Sequence, residues 1–376
     1  MPNTLVRLTL LIAVTAWLGA IVLASAIWGA PSLSSEHVLS PAAPSQATSG
    51  ASGSSSPPSA AAASGATGSR STGAGGPSGY TGDPQTVTIY AYAGHANPTA
   101  VVASLPKIVG GVSWIFGWNQ IETAPGVYNW SAVDAAIAAS SSSGRRTMLR
   151  IDGGATSPSW VPDQLTMSFQ SMGPQGAQTV TMPRTWTSTY LADFTTFIRA
   201  YGARYNSNRA VTRIEMTGGG YQGEMALPQW PGWIDAGYTD PLMTSAWEQL
   251  ISTYKAAFPS KQLGLDYGEP LQTYYHSNID PAVLAYAHSF ADVDFQQNGL
   301  KGSTSENWSV FKTLQVLSAT TRIGWQMWGG DNSSSTLMDA FHVAVASRAS
   351  YVEVYLNDCV NPANASALAY LVSEGQ

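Results

Sequence analysis

The chain is short of the residues that most often carry reactive or metal chemistry. It holds one cysteine, Cys359, in 376 residues, which excludes an intramolecular disulfide and a cysteine-based metal cage. Five histidines (His37, His95, His276, His288 and His342) show no HExxH or other ligand spacing. Only 11% of residues are charged, with 17 Lys+Arg against 23 Asp+Glu and a formal net charge of −6. A basic footprint for nucleic acid is therefore missing. Neither a Gly-x-Ser-x-Gly elbow nor a P-loop is found, which removes the commonest serine-hydrolase and kinase-like readings. No metal or cofactor is called for. Aromatic weight stands in their place, 13 Trp and 17 Tyr.

The amino-terminal quarter is compositionally distinct. After Arg7, residues 8–30 form an almost uncharged apolar stretch, long for a signal-peptide core and long enough to span a bilayer. Ala24-Ser25-Ala26 also offers a cleavage site. A membrane tether, favoured by length, and a cleaved secretory signal both export the rest of the chain, so an extracytoplasmic location is expected. Residues 31–84 are rich in Ser, Ala, Gly and Pro and nearly lack large apolar side chains. Such a tract cannot bury enough surface to offset chain entropy and is expected to be a disordered spacer. The globular part is expected over residues 85–376, as a monomer.

Eight short hydrophobic-alternating runs fill that part, at 86–91, 111–118, 146–152, 212–217, 262–267, 292–298, 322–328 and 351–357. A helix-like stretch follows each one; the longest, 187–205, carries a stripe of Tyr190, Leu191, Phe194, Phe197 and Ile198. Regular strand–helix alternation with no leftover strand predicts an α/β fold, a single (β/α)8 TIM barrel. In the last run Val352, Val354 and Leu356 form an apolar face, which leaves Tyr351, Glu353 and Tyr355 on the other. Strand side chains alternate, and the apolar face belongs under the helices, so Glu353 is expected inside the barrel. The same reading sends Arg150, Asp152, Arg213, Glu215, Asp266, Asp294, Gln296 and Gln326 inward. A purely structural barrel fills its interior with Val, Ile and Leu. Acids, arginines and amides there point to a binding and reaction site.

Two connections after strands are long. Residues 153–186 contain Trp160 and two alternating runs, 165–168 and 179–182, expected to pair as a hairpin. Residues 218–242 contain Tyr221, Gln222, Glu224, Trp230, Trp233 and Tyr238. Both leave the carboxyl ends of strands, the face on which barrel enzymes place their sites. Indole and phenol rings there suit a sugar, with an apolar body and a polar tip.

The run Trp118-Asn119-Gln120-Ile121-Glu122-Thr123-Ala124-Pro125-Gly126-Val127-Tyr128-Asn129-Trp130, followed by Val133-Asp134, resembles a pattern of the retaining glycoside hydrolase barrels. It is similar to family 42 β-galactosidase-like and family 5-like enzymes. Ser157-Pro158-Ser159-Trp160-Val161-Pro162 is likewise similar to a Pro-Trp-Leu segment of such enzymes. The likeness covers about a fifth of the barrel. It implies saccharide as substrate and a carboxylate pair as machinery, with Glu122 a structural cap. The chain departs from that pattern at two places. The usual Asn-Glu after the fourth strand is replaced by Gly-x-x-Gly-Glu, which by likeness makes Glu224 the acid/base. The usual strand-seven nucleophile is replaced by Gln326, and the nearest inward carboxylate is Glu353.

Glycoside cleavage needs one carboxyl that protonates the leaving oxygen and one ionised group at the anomeric carbon. Glu224, beside Tyr221 and Trp230, is expected to be partly desolvated; Glu353, near Arg150 or Arg213, is expected to stay ionised. Rivals are Glu215, Asp266, Glu269, Asp152 and Asp294, each with a salt-bridged structural reading. For Glu215 that partner would be Arg213. Asp266 and Glu269 are the strongest substitutes. Substrate contacts are expected from Trp118, Arg150, Asp152, Trp160, Tyr221, Gln222, Asp266, Glu269, Gln326, Trp328 and Tyr355. The missing strand-seven acid keeps a non-hydrolytic carbohydrate-binding barrel open as an alternative, and a wall-associated transglycosylase would use the same residues.

Overall fold

A computed structural model describes residues 86–170, 177–221, 225, 227–228, 230–267 and 279–375. The apolar segment 1–30 and the spacer 31–84 lie outside the described residues, as do Gln222, Glu224 and Glu269. No helix among the described residues is long and apolar enough to cross a membrane.

Eight parallel strands close into a barrel in chain order. They are β1 (Thr88–Gly94), β2 (Gly111–Gly117), β3 (Arg146–Asp152), β4 (Val211–Met216), β5 (Gln262–Asp266), β6 (Val293–Leu300), β7 (Ile323–Met327) and β8 (Tyr351–Tyr355). The helices that follow them are α1 (Pro98–Ser104), α2 (Ser131–Ser142), α3 (Ser188–Tyr205), α4 (Asp240–Ala257), α5 (Ile279–His288), α6 (Ser309–Leu317), α7 (Ser334–Ala346) and α8 (Ala365–Glu374). The expected (β/α)8 TIM barrel is the observed fold.

Local chemistry starts the helices where the sequence turns polar. Asn97 Oδ1 accepts from Ala100 N at 3.1 Å ahead of Pro98, and the Thr187, Thr239 and Ser333 hydroxyls cap α3, α4 and α7. Each bond satisfies an N–H that the first turn leaves without a partner. Outward strand residues such as Ile89, Leu149, Ile214 and Val352 are buried beneath the helices. Two outward indoles also tie strand to helix: Trp114 Nε1 donates to Ser140 Oγ at 2.9 Å and Trp325 Nε1 to Ser347 Oγ at 2.8 Å.

The interior fits by size as well as by polarity. At the amino-terminal end Tyr90, Met148 and Tyr351 form a small apolar plug. Gly324 faces the Tyr351 ring so closely that a Cβ would stand 2.0 Å from its Cζ, and a Cβ on Gly264 would stand 2.1 Å from Glu215 Oε2. These glycines are the holes into which the large inward side chains fit.

Most strand boundaries differ from the sequence reading by one to three residues, and at three of them the cause is visible. The first strand runs 88–94 rather than 86–91, because Val87 N is spent on Gly375 O and the ladder to β8 opens at Thr88. The last strand stops at Tyr355, and Leu356 begins a short helix, Leu356–Val360. At the second strand, Gln120 Oε1 accepts from Gly117 N at 2.9 Å and turns the chain into the helix Trp118–Ile121. Trp118 thereby leaves the strand. The hairpin after β3 forms as expected, Gln164–Gln170 against Ala177–Pro183.

Removing residues 1–84 takes away no barrel strand, so a chain beginning at Gln85 is expected to be soluble and monomeric in sedimentation. Insolubility of that chain, with a longer one soluble, would move the boundary. Gly324→Ala is expected to cost about 1–3 kcal/mol in denaturant unfolding through overpacking. A loss below about 0.5 kcal/mol would show that the Tyr351 ring can retreat.

Candidate active site

The inward positions of the strands build the site from the middle of the barrel to its carboxyl end. Arg150 and Glu215 are register partners across β3 and β4, and Gln326 and Glu353 are partners across β7 and β8. Asp152 and Asp266 are the last residues of β3 and β5, and Asp266 is level with Gln296 of β6. All of these are buried, from Glu353 at 1% exposure to Asp266 at 8%.

The hydrogen bonds and ion pairs are unevenly shared. Arg213 Nη1 pairs with Asp294 Oδ2 at 2.6 Å, and its guanidinium lies 3.8 Å from the centroid of the Tyr351 ring. Arg150 Nε stands 3.1 Å from Asp152 Oδ1, with its guanidinium 6.0 Å from the Tyr92 ring centroid. Glu353 Oε2 accepts from Gln296 Nε2 at 2.7 Å, and the same amide nitrogen reaches Asn298 Oδ1 at 2.7 Å. Glu215 has no ion pair among the described residues, and its Oε1 has no hydrogen-bond partner there. The expected Glu215–Arg213 salt bridge is therefore not made; Arg213 reaches across β5 to Asp294 instead.

Burial sets the electrostatics. It pushes Glu215 up to about 8 against the pull of Arg213, with the charge of Glu353 adding to the rise. Glu353 is also raised by burial, opposed first by Arg150 and also by the Gln296 bond. The stabilising cation expected beside Glu353 is present, but desolvation outweighs it. Asp294 is raised by burial too, opposed by Arg213.

Other expected site residues separate into two groups. Tyr355 is half-buried at the carboxyl end of β8, its ring 4.8 Å from that of Tyr92. Trp328 follows β7 and lies 5.4 Å below the Lys301 ammonium. Trp160 instead packs on Trp118 at 5.6 Å, Tyr221 on Phe169 at 5.7 Å, and Trp230 on Trp233 at 5.0 Å. The described ring contacts join none of Trp160, Tyr221, Trp230 and Trp328 to another of the four. Trp118 departs furthest from expectation. It is fully buried among Tyr190, Phe194 and Phe197, and its indole N–H is spent on Glu122 Oε2 at 2.7 Å, so it offers no face to a ligand. Glu122 gives its other oxygen to Gly126 N at 2.7 Å, the turn cap expected of it.

The start of the segment that carries Glu224 is rigidly placed. Tyr190 OH donates to Gly218 O and Thr185 Oγ1 to Gly219 O, each at 2.6 Å, while Ala155 N donates to Tyr221 O at 2.9 Å. Gly218 has φ +110 and lies against the Phe194 ring, a position that neither a side chain nor an ordinary backbone could take. Gly218, Gly220 and Gly223 carry the spacing of a dinucleotide-binding turn. The next described α-helix starts only at Asp240, however, whereas such a turn opens directly into a helix.

Three residues of the interior escaped the sequence reading: Tyr92, Ser113 and Asn298. Tyr92 had a usable signal, since it continues the Tyr90 alternation once β1 is carried past Ala91.

No family model matches the chain, and no curated protein matches it in sequence. Among solved structures, it is similar to the catalytic domain of β-amylase from Paenibacillus polymyxa, with TM-score 0.58 at 10% identity over 78% of this chain and 99% of that one. A β-galactosidase from the psychrophilic Marinomonas ef1 gives TM-score 0.49 at 10% identity, over 72% of this chain and 54% of that one. At these identities the first likeness shows a shared barrel fold.

Proposed function

We propose that the protein is an exported glycoside hydrolase that cleaves O-glycosidic bonds of a saccharide, with Glu224 as acid/base and Glu353 as the second carboxylate. The observation that carries this reading is the register of β7 and β8. Glu353 stands level with Gln326, the position at which related barrels keep their nucleophile, so one lateral step around the barrel restores a carboxylate at that depth. The likeness in fold to a β-amylase catalytic domain supports the same class, although a fold alone fixes no activity. Export rests on the apolar residues 8–30, which would tether or release the barrel outside the cytoplasm.

In the cleavage step Glu224 gives its proton to the glycosidic oxygen as the bond from that oxygen to the anomeric carbon breaks. Glu353 either forms a bond to that carbon, later displaced by water that Glu224 deprotonates, or takes a proton from a water attacking directly. Arg150 is placed to bias Glu353 toward its ionised form. Tyr355, Trp328, Arg150, Asp152, Asp266, Gln326, Trp160 and Tyr221 are the proposed substrate contacts from the described residues; Gln222 and Glu269 join them by sequence position.

The near-complete burial of Glu353 and its bond to Gln296 favour a second reading, a barrel that binds saccharide without cleaving it. Substitution separates the two. Glu224→Gln is expected to slow hydrolysis of poor leaving groups by about 10²–10⁴-fold, and of activated aryl glycosides far less. Glu353→Gln is expected to abolish both. Near-wild-type rates in Glu353→Gln, with Asp266→Asn or Glu269→Gln dead, would assign the second carboxylate to strand five. Sugar binding measured by calorimetry with no cleavage by the unaltered protein would establish the binding barrel.

A further inference from the structure

The open end of the barrel holds a cation, Lys301, that no anion among the described residues answers. Lys301 is the first residue after β6, and a closed turn fixes its backbone: its N–H donates to Thr304 Oγ1 at 3.0 Å, and Thr304 N donates to Lys301 O at 2.9 Å. The side chain is half-buried, with its ammonium 5.4 Å from the centroid of the Trp328 ring and in no ion pair there. The other lysines are provided for. Lys107 and Lys312 are exposed to water, Lys255 pairs with Asp292, and Lys261 donates to the Asn208 and Val211 carbonyls at 2.6 and 2.7 Å. An ammonium is a strongly hydrated point charge, and an aromatic face replaces only part of the water it displaces. Packing on Trp328 alone would be served as well by an uncharged chain such as Met.

The neighbours of Lys301 form a rigid rim. Lys301, Trp328, Tyr355 and Tyr92 lie at or near the carboxyl ends of four strands adjacent in the barrel, β6, β7, β8 and β1. Trp328 N donates to Leu300 O at 2.7 Å, which locks the exit of β7 to that of β6. The same exit is tied to the chain after Tyr355, where Asn332 N and Nδ2 donate to Asp358 Oδ1 and Oδ2 at 2.7 and 2.8 Å. Gly330 passes so near Tyr355 that a Cβ on it would stand 3.2 Å from the Tyr355 Cβ. The Tyr355 and Tyr92 rings follow, 4.8 Å apart. Apolar ring faces thus run along three strand ends, with one ammonium at the β6 end of the arc.

We propose that this arc is a subsite for an anionic sugar residue, one bearing a carboxylate or a sulfate ester, and that Lys301 sets the substrate class as an acidic saccharide. The proposal rests on the reading that the mouth of the barrel takes a saccharide. A sugar ring offers C–H faces that suit Trp328 and Tyr355, and its anion supplies the charge-assisted partner that Lys301 lacks. A neutral sugar over the same arc would cover the ammonium and leave it unpaired. Discrimination therefore comes from rejection of the neutral ring as well as from attraction of the charged one.

Calorimetry on the full-length protein with matched ligands tests the subsite. The pairs are oligomers of glucuronate, galacturonate and mannuronate, each as free acid and as neutral methyl ester, and a sulfated oligosaccharide beside its desulfated form. In at least one pair the charged form is expected to bind about tenfold tighter, or about 1.4 kcal/mol, with the gap narrowing as salt is raised. A gap in an ester pair identifies the anion as a carboxylate, and a gap in the desulfated pair as a sulfate. Lys301→Met is expected to close the gap by weakening the charged form, and Lys301→Arg to keep most of it; Lys301→Gln replaces the Met variant if that one does not fold. No preference for charge in any pair, or a gap unchanged once Lys301 is neutral, would overturn the proposal. Release of reducing ends, measured in parallel, separates this outcome from the fate of the hydrolase. Charge-selective binding without cleavage keeps the subsite and removes the hydrolase, whereas cleavage of neutral saccharide with no preference for charge removes the subsite and keeps the hydrolase.

Discussion

The interior of this barrel is governed by the cost of burying charge. A strand that points Arg, Asp or Glu into a low-dielectric space must supply a partner, lose the charge to a proton, or hold the group ready for a ligand. All of these are visible at neighbouring levels. At the closed end, Arg213 and Asp294 neutralise one another over the Tyr351 ring. In the middle, Glu353 is bonded by Gln296 while Oε1 of Glu215 has no hydrogen-bond partner among the described residues. Toward the carboxyl end, Arg150 and Asp152 pair beneath Tyr92 and Tyr355. The outer shell is ordinary by comparison, apolar strand faces under amphipathic helices, and its job is to keep the inward set in register.

That register converts sequence into chemistry. The closure of β8 onto β1 and the pairing of β7 with β8 bring Glu353 level with Gln326 and Tyr90. A slip of one residue would turn Glu353 to the helices and Val352 to the interior. Glycines make the register possible: without a hole at Gly324 the Tyr351 ring would not fit, and without one at Gly264 the Glu215 carboxyl would not. The segment toward Glu224 is held at its start by a different device, the Tyr190 and Thr185 hydroxyls that donate to the Gly218 and Gly219 carbonyls.

Much of the barrel was legible in the sequence because alternation with period two is a direct consequence of strand geometry, and eight such runs separated by helices leave few alternatives. Inward placement of Arg150, Asp266, Gln326 and Glu353 came from it. What remained hidden depends on partners far away in the chain. Trp118 looked like the end of a strand, but the side chain of Gln120 turns the backbone one residue earlier. Tyr92 was missed because the ladder to β8 starts and ends later than the hydrophobic run suggests. The ion pairs were least legible. Arg213 lies two residues from Glu215 yet bonds Asp294 two strands away, since adjacent inward positions along one strand occupy different levels of the barrel. Which acid goes unpaired is a property of the closed sheet, and no single strand contains it.

The depth of Glu353 is the point on which the function turns, and a structure with an oligosaccharide bound measures it most directly. If the protein is a hydrolase, the Glu224 and Glu353 carboxyls flank one glycosidic oxygen, about 5–5.5 Å apart for retention or about 6.5–9.5 Å for inversion. A saccharide seated at the mouth on Tyr355 and Trp328, with Glu353 still enclosed behind Gln296 and out of reach of any anomeric carbon, would contradict that assignment.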